Sequence, residues 1–111
     1  MFFTKKPNFP DDVNGDVLRR MVDSGMDLSQ TYDMEFFHVF TSKEKAEGMC
    51  KFVYDKGIRV KLNQTDDGNW DVCCIIPMVP TYKEITETEC KLEKIAENNG
   101  GVSDGWGVLQ N

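Results

Sequence analysis

The chain has few of the side chains that do chemistry. Its 111 residues include one histidine, His38, set in an apolar run. A packed, hydrogen-bonded core role is expected there, because catalytic use needs partners within reach. A single histidine on a strand also offers no Cys–His or Ser–His pair for nucleophilic catalysis. The four cysteines, Cys50, Cys73, Cys74 and Cys90, contain no C-x-x-C spacing. That argues against a zinc site or a thioredoxin-type motif. There is no P-loop, and no G-x-G-x-x-G follows a strand. Asn99-Gly100-Gly101 ends a helical pattern where a phosphate cradle would begin one. No metal, no cofactor and no catalytic residue is therefore expected. No apolar run is long enough to span a bilayer. Met1-Phe2-Phe3-Thr4-Lys5-Lys6-Pro7 has no apolar stretch behind its positive charges, so it does not read as a signal peptide. A cytoplasmic protein with reduced thiols is expected, its cysteines serving as small apolar residues. Positive charge is in deficit. Thirteen Lys and Arg face 19 Asp and Glu, for a formal charge of −6. Such a surface repels phosphate, which disfavours direct nucleic-acid binding, and attracts basic protein surfaces.

What is present is ordinary globular patterning, 40% hydrophobic and 29% charged, in a length that suits one domain. Residues 1–9 read as an N-terminal arm carrying Phe2, Phe3 and Phe9, and residues 10–111 as the domain. Pro10-Asp11-Asp12 offers a helix start. Val13, Val17, Leu18, Met21 and Val22 follow as an apolar stripe, with Gly25 as the stop. Residues 34–40 form a dense apolar strand. Thr41-Ser42-Lys43-Glu44 reads as a capping box with Thr41 at the N-cap. The helix it opens carries Ala46, Met49, Cys50 and Val53, and Gly57 ends it. Residues 58–63 alternate as a half-buried strand should. Asp67-Gly68 marks a hairpin reversal into the most apolar stretch, 70–79, which Pro80 closes. Thr81-Tyr82-Lys83-Glu84 is a second capping box. Its helix buries Ile85, Leu92, Ile95 and Ala96 and stops at Asn98-Asn99-Gly100-Gly101. A short, Gly-interrupted strand spans 102–109. The order is α-β-α-β-β-α-β, and its last six elements make the split βαβ pair of a ferredoxin-like α+β sandwich with an antiparallel four-stranded sheet. The first and third strands, nearly all apolar, belong in the centre; the alternating second and the broken fourth belong at the edges.

Both crossover helices must then pack on one sheet face. Strand parity assigns the side chains of the other. Phe37, Val39, Cys73 and Ile75 are expected there, flanked by Arg59 and Lys61, while Phe36, His38, Phe40, Trp70, Val72, Cys74 and Ile76 point inward. An apolar patch of this kind signals an interface unless the arm or the first helix covers it. A bulge would flip the parity. The open face is the candidate partner-binding surface, and Asp104 and Trp106 of the closing segment are counted with it.

That closing segment, Ser103-Asp104-Gly105-Trp106-Gly107 after a Gly100-Gly101 helix stop, resembles the regulator of ribonuclease E activity B family. Tyr32-Asp33-Met34-Glu35-Phe36-Phe37, the helix start at 41–47 and Met78-Val79-Pro80-Thr81 are similar as well, so the likeness runs from about residue 12 onward. The resemblance implies a non-enzymatic, ferredoxin-like protein that binds ribonuclease E and modulates RNA cleavage. Two other readings stand beside it. Small acidic proteins of this kind also neutralise toxins as immunity proteins, through electrostatic complementarity. A small-molecule binder would need a concave pocket at Phe37 and Ile75. A monomer, or a weak homodimer through the open face, is expected.

Overall fold

The structure is a computed structural model that describes residues 9–109. The expectations placed on Phe2 and Phe3, and on arm cover of the open face, lie outside the described residues. The elements follow the expected order: α1 (Val13–Asp23), β1 (Tyr32–Phe40), α2 (Lys43–Asp55), β2 (Arg59–Gln64), β3 (Trp70–Met78), α3 (Tyr82–Asn98) and β4 (Val102–Val108). The sheet is antiparallel and ordered β2-β3-β1-β4, with the two apolar strands in the middle. This is the ferredoxin-like α+β arrangement.

Each helix starts on a side-chain cap and ends on a glycine. Asp12, Ser42 and Thr81 accept from the backbone N–H groups of Gly15, Lys45 and Glu84, which satisfies a donor the helix itself leaves unpaired. The cap of α2 is thus Ser42, one residue later than Thr41. With Lys45 at the third helical position, α2 has no capping box. At the other ends Gly25, Gly57 and Gly100 all take positive φ. In each case the following N–H reaches back to the carbonyl five residues earlier (Met26 to Met21, Ile58 to Val53, Gly101 to Ala96). These are Schellman turns, which favour glycine at the left-handed position.

The core lies between the sheet and the helices. Leu18, Met34, Phe36, Phe40, Ala46, Met49, Val53, Val72, Cys74, Ile85, Leu92 and Ala96 form one buried cluster. Val13 is not part of it. It is 76% exposed, and the buried residues of α1 are Gly15 and Leu18. Gly15 has no room for a side chain, since a Cβ there would meet the Pro10 carbonyl. The first helix therefore packs through a narrower stripe than its apolar residues suggest. Gly101 is similarly crowded, because the Phe40 ring lies directly over it.

All three helices occupy the same side of the sheet. The α1 residue Asn14 donates to Thr86 Oγ1 and Glu89 Oε1 of α3, at 3.2 and 3.0 Å. Trp106 of β4 donates from Nε1 to Asn14 Oδ1 at 2.8 Å, and the Tyr82 hydroxyl donates to the Asp12 carboxylate. Helix α1 is thereby stacked beside α3 over β4. It does not cover the opposite face, and none of the described helices does.

Candidate partner-binding face

Register fixes what the uncovered face displays. From β2 to β4, one row reads Arg59, Ile75, Glu35, Gly107. The next reads Lys61, Cys73, Phe37 and then the Asp104–Gly105 step. The last reads Asn63, Asp71, Val39, Val102. The parity expected from sequence holds along β1, β2 and β3. Phe36, His38 and Phe40 are buried on the helix side, and Phe37 and Val39 are half-buried on the open side.

The face is not the apolar patch that parity implied. Cys73 and Ile75 are only 2% exposed, because polar side chains roof them. The Arg59 guanidinium reaches from β2 across β3 to the Asp33 carboxylate of β1, at 3.9 Å, crossing the Ile75 position. Glu35 accepts from the Cys73 thiol at 3.4 Å. A long side chain can cover apolar surface in this way while its head group stays wet. Of the apolar residues expected there, Phe37 and Val39 are left partly accessible. Val102, beside Val39 on the edge, is 60% exposed.

Trp106 lies on the other side. The β1–β4 pairing shifts between Phe36 and His38: Ser103 pairs with His38 and Trp106 with Phe36. Asp104 and Gly105 together span the single position of Phe37, with Gly105 at φ +100°. This is a bulge of one extra residue, and it flips the parity of everything after it. Asp104 stays toward the open face near Asp71. Trp106 turns to the helices and packs against the core. The face thus brings Phe37, Val39, Arg59, Lys61, Ile75 and Asp104 together, with Ile75 beneath Arg59, and leaves Trp106 out.

The sequence reading put Arg59, Lys61 and Asp104 with this face but did not bring the Asp66-Asp67 hairpin up beside Asp104. Asp71 is drawn toward the protonated form by burial, and by the neighbouring carboxylates of Asp104 and Glu35. A cleft of about 580 Å³ opens at this end, lined by Val39, Thr65, Asp66, Asp67, Asn69, Val102 and Asp104. Neither Phe37 nor Ile75 lines it. The hairpin that forms its far wall is built around Asp67. That carboxylate accepts from the Thr65 hydroxyl and the Asn69 N–H, which hold it below the usual carboxylate range. The signal was present as Asp66-Asp67 and Asp104, but only the β1–β4 register sets them side by side.

Reactive chemistry is suppressed at the candidate nucleophiles near the face. Burial, then Glu35, push the Cys73 thiol up to about 12. Burial, then Cys50 and Asp71, do the same for Cys74, to about 12. Both are therefore thiols at neutral pH, and the thiolate is the nucleophile. His38 is buried on the helix side, its Nδ1 3.3 Å from the Val72 carbonyl oxygen. Burial holds its pKa below the usual histidine value. Among the described residues no group of three or more His, Cys, Asp or Glu could hold a metal ion. No described helix is long and apolar enough to cross a membrane.

Comparison with known families gives one finding. The family model described as "Regulator of ribonuclease activity B" matches residues 11–108, spanning α1 through β4. Comparison with curated proteins finds no match.

Proposed function

The chain belongs to the regulator of ribonuclease activity B family, and from that membership we propose that it restrains RNA degradation by binding a ribonuclease of the E type through its open sheet face, with no catalytic step of its own. The family match over residues 11–108 carries the reading. Two features of the fold support it. A whole sheet face is left uncovered by the described helices, and sheet faces left bare mark contact surfaces. Cys73, Cys74 and His38, the candidate nucleophiles and base nearest the sheet, are instead held as buried, neutral groups. The face residues would act by contact. Phe37 and Val39 supply apolar area, while Lys61, Asp104 and Asp71 set the charge pattern that selects a partner.

Affinity purification of the tagged chain from its native host, with the bound proteins identified by mass spectrometry, tests the target. A ribonuclease E-type enzyme should be recovered. Adding purified chain to that enzyme should slow cleavage of a structured RNA. Recovery of the chain without any ribonuclease, together with unchanged cleavage rates, would overturn the reading.

A further inference from the structure

The acidic end of the uncovered face has the chemistry of a receptor for cationic side chains. Its floor is apolar: Val39 is half-buried and Val102 is 60% exposed. Its walls are acidic, with Asp66 and Asp67 on the β2–β3 hairpin and Asp104 at the β4 bulge. Asp71 stands next to Val39 in the register, within the field of Asp104 and Glu35. Among the described residues, Asp66, Asp71 and Asp104 make no ion pair. The cations of this face lie on its far edge, on β2, and Arg59 is already engaged with Asp33. Like charges are thus crowded around apolar surface with no ion pair to a described residue. That arrangement costs stability in the isolated chain and is relieved by a cation seated between the carboxylates. An arginine or lysine side chain matches both parts of the cleft. Its methylene stem covers Val39 and Val102, and its head group reaches the carboxylates.

We propose that the cleft between the β2–β3 hairpin and β4 docks an extended Arg- or Lys-bearing segment of the partner protein. This rests on the reading of the chain as a partner-binding regulator and names the chemistry that the partner presents. The face does not suit RNA, whose phosphates the same carboxylates would repel. Docked face to face, a second copy would offer only Lys61 of its sheet cations without an ion pair among the described residues.

The test uses the full chain and a fluorescently labelled eight-residue peptide of alternating arginine and valine. Binding is followed by anisotropy and by amide chemical-shift mapping. The largest shifts should fall on Val39, residues 65–69, Val102 and Asp104. Asp66→Asn combined with Asp104→Asn should weaken binding about tenfold, as removal of close interfacial charge does. Val102→Lys, at a position 60% exposed, should abolish it without lowering the melting temperature, since the new cation sits among the same carboxylates. Glu87→Gln with Glu97→Gln, on the exposed side of α3, should have little effect. Equal loss from the α3 pair, or shifts spread over all acidic surfaces, would overturn the cleft in favour of diffuse charge attraction. A concentration-dependent increase in mass on sedimentation that Val102→Lys removes would assign the cleft to a second copy instead. The two proposals fail separately. Peptide capture without ribonuclease recovery defeats the target, and ribonuclease recovery that survives Val102→Lys defeats the cleft.

Discussion

Gly101 and Gly107 both belong to the glycine-rich closing stretch, yet they do different work. A Cβ on Gly101 would lie 2.4 to 2.7 Å from three atoms of the Phe40 ring, whereas a Cβ on Gly107 meets nothing within 4 Å. Neither residue has positive φ, so the contrast is purely steric. Gly101→Ala should destabilise the chain by about 1–3 kcal/mol, the usual cost of overpacking a core. Gly107→Ala should stay within about 0.5 kcal/mol, as open surface positions do. Urea midpoints at constant m value would measure both. Equal effects would show that Phe40 moves aside freely. His38 gives the pH counterpart. Its folded pKa is depressed by burial, so below about pH 6.5, the ordinary histidine value, the unfolded chain takes up a proton that the native chain does not. Stability is therefore complete above that pH and is lost as the pH falls toward the folded value, at about 1.4 kcal/mol for each unit of depression. Asp71 works with the opposite sign. Its raised carboxyl pKa means that the native state gains a proton first, so acidification through its folded value adds stability. Urea unfolding between pH 7.5 and 5.5 should show the histidine slope, and the His38 imidazole proton resonance should titrate below the usual range. A flat profile in an Asp71→Asn chain, where the opposing contribution is gone, would contradict the buried neutral imidazole.

At the scale of elements, most of the fold was legible because its signals are local. Helix stops were readable at Gly25, Gly57 and Gly100, since a left-handed residue after a helix favours glycine. Strand centrality was readable from β1 and β3, which are nearly all apolar. The failures came where one element's fate depends on another. Val13 has the right spacing for the α1 stripe, but the close approach of Gly15 to Pro10 sets how the helix sits. Thr41 and Ser42 are both capping residues, and the chain's exit from β1 decides between them. Ile75 is roofed by Arg59 only because Asp33 waits two strands away. The bulge at Asp104–Gly105 was readable as glycine but not as a change of face. Trp106 is the sharpest consequence. Counted from sequence with the partner-binding residues, it is instead the bracket that ties β4 to α1 through Asn14. Trp106→Phe keeps the ring and removes the donor. It should cost about 1 kcal/mol of stability and leave ribonuclease binding unchanged, whereas Phe37→Ala should weaken binding. Calorimetry and a pull-down would read the two effects. A Trp106→Phe chain of native stability that no longer binds would return this residue to the interface.

The whole molecule carries −6 formal charges, and Glu35, Asp66, Asp67, Asp71 and Asp104 lie on or beside the face that no described helix protects. Two processes then answer to salt in opposite directions. Folding brings Asp71, Asp104 and Glu35 together at a cost, and screening lowers that cost. The Debye length shrinks from about 30 Å at 0.01 M to about 10 Å at 0.1 M ionic strength. Raising sodium chloride across this range should therefore raise the melting temperature modestly. Association with a cationic partner depends on the same carboxylates for steering and for pairing. Its association rate should fall over the same range, with a smaller change in the dissociation rate, because long-range attraction is screened first. Surface plasmon resonance with the recovered ribonuclease, alongside thermal unfolding of the free chain, would show both trends in one set of buffers. Contact through Phe37 and Val39 alone would leave the association rate insensitive to salt. An association rate that rises with salt would mean that the partner is itself acidic at its docking segment. The two curves thus separate the charge on this face as a burden on folding from its use in binding, and only the carboxylates around the Val39–Val102 floor should move both.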